Sequence, residues 1–594
     1  MRKFVIISVF LLFLVLLTFL PRLSSLSAHW ASDEFLWMER SREFLSAMKT
    51  QQFRKTYITY HPGVTTCWLG SMAIWYRSQR DGLSESWLNH NHSFLTPEIL
   101  ASIRFPVGVV TGILILLAGI LIYRLFGRTT ACLGTLFLAV EPFLLAESRR
   151  AHTDALTSLF LFLALLLWLC YLKNERFRRS DLVLSGISFG LACLSKSVAC
   201  AFLLFLPLLL GWYIIYRNVP WAKMVCSALL WMMSALMTVT VVWPYMWTTT
   251  FKLWNIPVFP ILFIGCGANL VWCSRKLSSD TDSMLTRVEL LILAYGLFMT
   301  VGVLVSSIPH IMDAMHWAVT EANAVPTLFL GEIRYNPGIL YFPVMWLVWS
   351  TPLTFPLIGF AIYRVWQQRN SRQQMFSVVV VLGLFVLFYL VGLTIASKKI
   401  SRYIVVFLPV VSLLTTLGAI EAVALFKKKQ WKLILIAALL MLQIAPILRL
   451  HPYYRTYYYP LLSGKWIAMN TSSITGAGLS LAADYLNSLP NASQLRVRLS
   501  PFSGDMVSYL IKDTSLQESN TNASNTFDYE VEYLYDRQIL GPPVDPPPKN
   551  ADQEDEWQPT EEDARELEHV VRLNDIDYVW IYRLCAKEHT DNAP

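Results

Sequence analysis

Charge is what this sequence has least of. Only 15% of its 594 residues are Asp, Glu, Lys or Arg, against about 25% in soluble domains. Hydrophobic residues make up 55%, and the mean hydropathy is +0.45. An ordinary soluble enzyme is excluded, and a polytopic membrane protein with a soluble part attached is indicated. Clustered cysteine is also lacking. The nine Cys are scattered, mostly inside apolar runs, with no CxxC and no Cys/His group. Neither a disulfide framework nor a zinc site is indicated. Metal-ligand spacing is missing elsewhere too, so no metal and no cofactor are expected. The net charge of +8 is no sign of nucleic acid, because its basic residues follow membrane topology.

Long apolar runs are abundant. A bilayer span takes about 20 apolar residues. On that measure spans fall near 3–20, 103–124, 129–147, 154–172, 182–197, 199–216 and 222–243. Others follow near 254–273, 288–308, 339–363, 375–396, 403–425 and 431–448. The fold class expected is a polytopic α-helical membrane protein of about 13 transmembrane helices. Beyond the first run, "LSA" ending at Ala28 is a passable signal-peptidase site, yet the run exceeds the usual h-region of about 7–15 residues. An uncleaved first helix is the reading adopted.

Basic residues set the orientation. With the N-terminus cytoplasmic, Arg124/Arg128, Arg178/Arg179, Arg364/Arg369/Arg372 and Lys427–Lys429 all fall in cytoplasmic loops. An odd span count puts the C-terminus outside. The outer side then holds a first loop, about 21–102, a second loop, about 309–338, and a tail from about 449. "DEFLWMERSREFLSAMKT" has the spacing of an amphipathic helix lying along the membrane surface. "HPYYRTYYYP" reads as an aromatic interface anchor. The domains expected are therefore 1–465, in the membrane, and 466–594, an extracytoplasmic C-terminal α/β domain. In the latter "GLSLAADYLNSLP" reads as a helix and "QLRVRLS" as a strand. "GPPVDPPPKN" reads as a stiff linker. "EEDARELEHVVRLNDIDYVWIYRL" reads as an acidic helix followed by a strand.

Several positive charges break the inside rule: Arg149, Arg150, Lys196, Arg334, Lys398, Lys399 and Arg402. Each lies near the outer end of a predicted helix. Any one alone is explained by snorkelling. As a set they suit an anion at the outer surface, such as a lipid-linked phosphate. The acids Asp33 and Glu34 open the first outer loop, and Asp154 lies where an outer turn becomes a helix. A helix N-cap is the plain alternative for Asp154. A carboxylate accepts a proton from a hydroxyl nucleophile, while cations stabilise a departing phosphate.

These motifs resemble the GT-C membrane glycosyltransferases, in particular the protein O-mannosyltransferase-like, phospholipid carrier-dependent group. Asp33-Glu34 is similar to that family's acidic motif. "ESRRAHTDALTS" resembles its Ser-Arg-x-x-x-x-Asp pattern, placing Ser148, Arg149 and Asp154. "GLACLSKSVA" places Lys196, and "TYHPGVTTCWLG" resembles the His-Pro stretch of bacterial relatives. "SKKISRYIVVFLPV" and "HPYYRTYYYPLLSG" resemble later segments. The likeness covers roughly 1–465, with an added hairpin near 250–308 and no MIR-type lumenal domain.

The resemblance implies inverting transfer of a sugar from a polyprenyl-phosphate donor to an acceptor hydroxyl on a protein, lipid or envelope glycan. Asp33 would be the base, and Glu34 would orient the acceptor. Asp154 would position Arg149, His61 or the sugar. Arg149, Lys196, Lys399 and Arg402 would hold the phosphate, with Lys398 beside them, and His61 would contact substrate. Expected partners are the lipid-phosphate donor, a hydroxyl acceptor and membrane lipids, with no nucleic acid. The setting expected is a prokaryotic plasma membrane. A transporter or flippase of an anionic lipid, or an envelope-glycan polymerase or ligase using a diphosphate donor, remains the alternative. A transporter predicts internal symmetry and paired broken helices, which the sequence does not show.

Overall fold

The computed structural model describes residues 2–585 apart from a set of gaps. These are 32, 60, 83–95, 174–177, 218–220, 249, 252–255, 258–326, 397, 462, 472–475, 502, 504–508, 511–514, 519–526 and 541–563. The predicted spans near 254–273 and 288–308, the residues 309–326 of the second outer loop and the Pro-rich linker lie outside the described residues.

Among the described residues, seven helices are long and apolar enough to cross a bilayer. They include α4 (Pro97–Phe126) and α7 (Asp154–Lys173). Two further predicted spans prove to be bent pairs. The run near 129–147 breaks by 65° between α5 (Arg128–Ala139) and α6 (Pro142–Ser148). Pro142 sits in the first turn of α6, where its missing N–H costs nothing. The run near 339–363 breaks by 102° between Trp349 and Thr354. Pro352 lies inside that break, and a proline pushes the residue before it out of the α region. The remaining two predicted spans are helices α1 (Arg2–Leu23) and α8 (Arg179–Ser195), the latter of 17 residues.

The helical core gathers around α7, nearly all of which is buried. Trp168 stands among Tyr171 and Trp231, while Phe189 stacks on Trp231 at 4.5 Å. A helix stands where the amphipathic spacing predicts one. Helix α2 (Glu34–Lys49) buries Trp37, Met38, Phe44 and Leu45, and packs on α3 (Val64–Arg80). Gly63 is required at their junction. It has φ +57, and a Cβ there would meet the Trp37 ring at 1.9 Å.

The C-terminal region builds a five-stranded sheet with its own core of Val497, Val531, Val579, Ile581 and Leu486. Arg496–Leu499 runs parallel to Ser515–Glu518 and to Tyr529–Tyr533; the remaining neighbours pair antiparallel. The predicted helix at Leu479–Asn487 and strand at Arg496–Leu499 are present. The predicted acidic helix is not. Ala564–Leu573 is a strand that hairpins with Ile576–Cys585. Its turn is Asn574-Asp575, both at positive φ, the conformation that suits a two-residue hairpin. That turn and the β-branched partner strand outweigh the helical propensity of the glutamates.

This sheet region rests on the stretch 27–30, just before α2. Ser480 donates to the Ala28 carbonyl, and Tyr509 Oη donates to the Ser27 carbonyl at 3.0 Å. Gly476 brings its backbone so close to Trp30 that a Cβ would sit 1.9 Å from the Trp30 oxygen. The aromatic stretch 451–460 is largely buried. Tyr454, Tyr457 and Tyr459 are buried.

Candidate active site

Four helix ends far apart in sequence meet at one point. Asp33 precedes α2 in the left-handed region, φ 69, a conformation Asp tolerates better than most residues. Its carbonyl accepts the first bond of the helix, from Trp37 N–H, but its side chain makes no cap. That carboxylate instead pairs with Arg402, at the start of the Ser401–Phe407 turn. Asp154 opens α7. Its Oδ1 accepts from Lys196 Nζ at 2.6 Å, and its Oδ2 lies 3.3 Å from Arg402 Nε. Lys196 is the extended joint after α8, with its ammonium 4.5 Å above the Tyr403 ring.

Charge explains why these groups stay ionised. Burial alone would raise the Asp33 carboxyl. Arg402, backed by His152 and Arg150, overrides burial and holds it well below the usual carboxylate range. His152 bridges the two acids, with Nδ1 at 3.1 Å from Asp154 Oδ2 and Nε2 at 4.0 Å from Asp33 Oδ2. Burial, with Arg402 and Arg150 nearby, lowers its pKa although Asp154 opposes the shift. The sequence marks His152 only by its place on the short turn between Glu147 and Asp154.

Accessibility separates the members. Asp33 keeps 35% of its side chain exposed, whereas Asp154, Lys196 and His152 keep 7%, 6% and 4%.

His61 does join this site. Its Nδ1 lies 3.0 Å from Ser197 Oγ, next to Lys196. Burial and then the charge of Lys196 push its pKa down to about 3, with Lys398 contributing, so the ring is neutral. Thr65 and Ser195 hydroxyls, 2.7 Å apart, tie the same loop to the end of α8.

Three expected residues are engaged elsewhere. Glu34 is fully buried, and both its oxygens are occupied. Arg104 of α4 grips them as a fork, with Nε to Oε1 at 2.9 Å. Ala31 and Ala151 N–H groups add bonds at 2.9 and 2.7 Å. Glu34 therefore fastens the turn that carries Asp33 and does not face an acceptor. Arg149 points away from Asp33. It donates to the Ser24 and Ser25 carbonyls at 2.6 and 2.8 Å and lies over Tyr454. Lys399 caps the helix Gln373–Ile395, donating to the carbonyls of Leu393, Thr394 and Ala396. Carbonyls at a helix C-terminus also attract a cation, and sequence spacing does not separate that use from ligand binding.

Residues 86–247 match the dolichyl-phosphate-mannose-protein mannosyltransferase family. The matched segment carries Arg104, Arg149, His152, Asp154 and Lys196, while Asp33 and Arg402 lie outside it.

No curated protein sequence matches. Among solved structures, the chain is similar to the oligosaccharyltransferase AglB of Archaeoglobus fulgidus, in complex with an inhibitory peptide and a dolichol-phosphate. Identity is 13% and TM-score 0.44, covering 86% of this chain and 65% of that one. The chain thus spans just under two thirds of that enzyme's length. It is also similar to ArnT of Cupriavidus metallidurans. The form bound to undecaprenyl phosphate is 12% identical with TM-score 0.41, covering 97% of each chain. The apo form is 13% identical with TM-score 0.43, covering 98% of each.

Proposed function

We propose that this protein transfers a sugar, with inversion, from a polyprenyl-phosphate donor to an acceptor hydroxyl at the outer membrane face. The observation that carries the reading is the meeting of one exposed carboxylate, Asp33, with the buried cations Arg402 and Lys196 at the ends of separate helices. On this reading 1–465 forms the membrane domain, with its N-terminus cytoplasmic, and 466–594 the extracytoplasmic one, in a prokaryotic plasma membrane.

Arg402 and Lys196 take the lipid phosphate, and Lys398 lies within their electrostatic neighbourhood through His61. Asp154 orients both cations, and neutral His61 meets the sugar or phosphate through its ring. A carboxylate held by a guanidinium is a weak base. A phosphate bound by Arg402 competes with Asp33 for that guanidinium, which restores the basicity of Asp33. Asp33 then takes the hydroxyl proton on one face of the sugar while phosphate departs from the other, the geometry inversion requires. Glu34 acts as a positioning residue through the Arg104 fork.

The test uses purified full-length protein, a panel of polyprenyl-phosphate sugars and candidate hydroxyl acceptors. Donor hydrolysis or transfer is followed with the anomeric configuration of the product. Asp33→Asn is expected to bind donor but not turn over. Full turnover in that variant, or a retained anomeric configuration, overturns the assignment.

A further inference from the structure

Next to the Asp33 site lies a second polar cavity that the proposed chemistry does not use. His29, Arg104, Arg149, Arg150, Tyr454 and Arg455 line it. It sits where the first outer loop, the turn after α6 and the Tyr454–Thr456 turn come together.

Its charges do not balance. Among the described residues, Arg104, Arg149, Arg150 and Arg455 line it and are buried, and only Glu34 and Glu147 pair with them. The neighbouring acids Asp33 and Asp154 are matched by Arg402 and Lys196. Arg149 donates to backbone carbonyls, which are dipoles and cancel no charge. Two positive charges are left over in a buried place, where an uncompensated ion is costly. Arg455 Nε and His29 Nδ1, on residues that line the cavity, are buried without a hydrogen-bond partner. Arg455 also lies 5.5 Å over the Phe143 ring, which leaves its edge free to donate.

The cavity measures about 10 Å³ for the centre of a water-sized sphere. One water or one monatomic ion fits such a space, and a phosphate group does not. A water would use the donors but would leave the charge. We propose that this cavity binds a monatomic anion of the halide class, held by Arg149, Arg150 and Arg455 with His29 at its edge. The anion joins three segments. One carries Asp33, a second carries His152 and Asp154, and the third supports the C-terminal sheet through Asn574, which donates to the Thr456 carbonyl at 2.8 Å. Burial, with neighbouring arginines, lowers the pKa of Arg149 and Arg455 to about 10 each, as a crowded cationic site would.

The test needs no sugar transfer, so it stands apart from the proposed activity. Full-length protein in detergent is unfolded thermally in sodium gluconate, sodium chloride and sodium bromide at constant ionic strength. Chloride and bromide are expected to raise Tm saturably by roughly 2–6 °C, and Arg455→Gln is expected to abolish the rise. Should that variant not fold, crystals of the unaltered protein soaked in bromide decide. An anomalous peak among Arg149, Arg150 and Arg455 supports the proposal. Equal Tm in the three salts, a rise with inorganic phosphate alone, a halide effect that survives Arg455→Gln, or density without anomalous signal overturns it.

Discussion

Asp33 and Glu34 are neighbours in the chain, yet they serve two sites of different character. Asp33 turns toward Arg402, partly open to solvent, in a cluster whose charges balance. Glu34 turns the other way, sealed against Arg104, at the edge of a cavity with excess positive charge. The turn after α6 divides in the same manner. Arg149 and Arg150 face the arginine-rich cavity, while His152 and Asp154 face Asp33. One pair of short turns thus builds both sites. A balanced cluster with one exposed acid suits chemistry, because its ion pairs can be exchanged for substrate. A sealed cluster suits fastening, because breaking it leaves a charge buried.

The contrast yields tests of decreasing size. Asp33→Asn removes a general base and should cut turnover by about 10²–10⁴-fold, with Tm nearly unchanged; a matching fall in Tm would erase the distinction. Glu34→Gln should do the reverse. It leaves Arg104 buried without its partner, costing about 3–5 kcal/mol of stability by chemical denaturation. Rescue of Tm by Glu34→Gln paired with Arg104→Met would assign that loss to the ion pair.

Arg402→Gln should lower kcat/KM by about 10²–10³-fold, as loss of a transition-state donor does. It should also move the acid limb of the kcat/KM profile upward, because Arg402 is what holds Asp33 down. A limb that stays in place would separate Asp33 from Arg402.

Stability against pH sharpens the comparison further. Burial pushes Glu34 up, but Arg104 wins and sets it at about 2, below the unfolded 4.5. A depressed carboxyl stabilises fully above its unfolded value, so the Glu34 contribution is whole above pH 4.5 and fades as pH falls toward 2. The wild type and Glu34→Gln should converge in Tm across that window. The smallest effect belongs to the exposed pair Arg449–Asp575 between the last long helix and the sheet. Arg449→Ala should cost less than about 1 kcal/mol, since water competes for both charges.

Where structure and expectation differ, the causes are physical. Arg149 and Lys399 are cations at helix ends. What binds them, carbonyl or carboxylate, depends on chain arriving from elsewhere: Ser24 and Ser25 for Arg149, the end of its own preceding helix for Lys399. Arg104 lies within an apolar span, and its role appears only when α4 is laid beside the turn that carries Glu34. The strand at Ala564–Leu573 was mistaken for a helix because glutamate-rich composition hid the Asn574-Asp575 turn.

Hydrophobic run length and the placement of basic residues determined the helical plan, because a span's length and flanks are local properties. Local spacing also determined α2, the Leu479–Asn487 helix and the charged residues worth watching. Tertiary structure alone decided the bends within two spans, the partners of each charge and the split between the two sites. Ion pairs form across segments, such as Asp33 with Arg402, and their strength rests on burial and direction. Neither quantity exists until the helix ends have met.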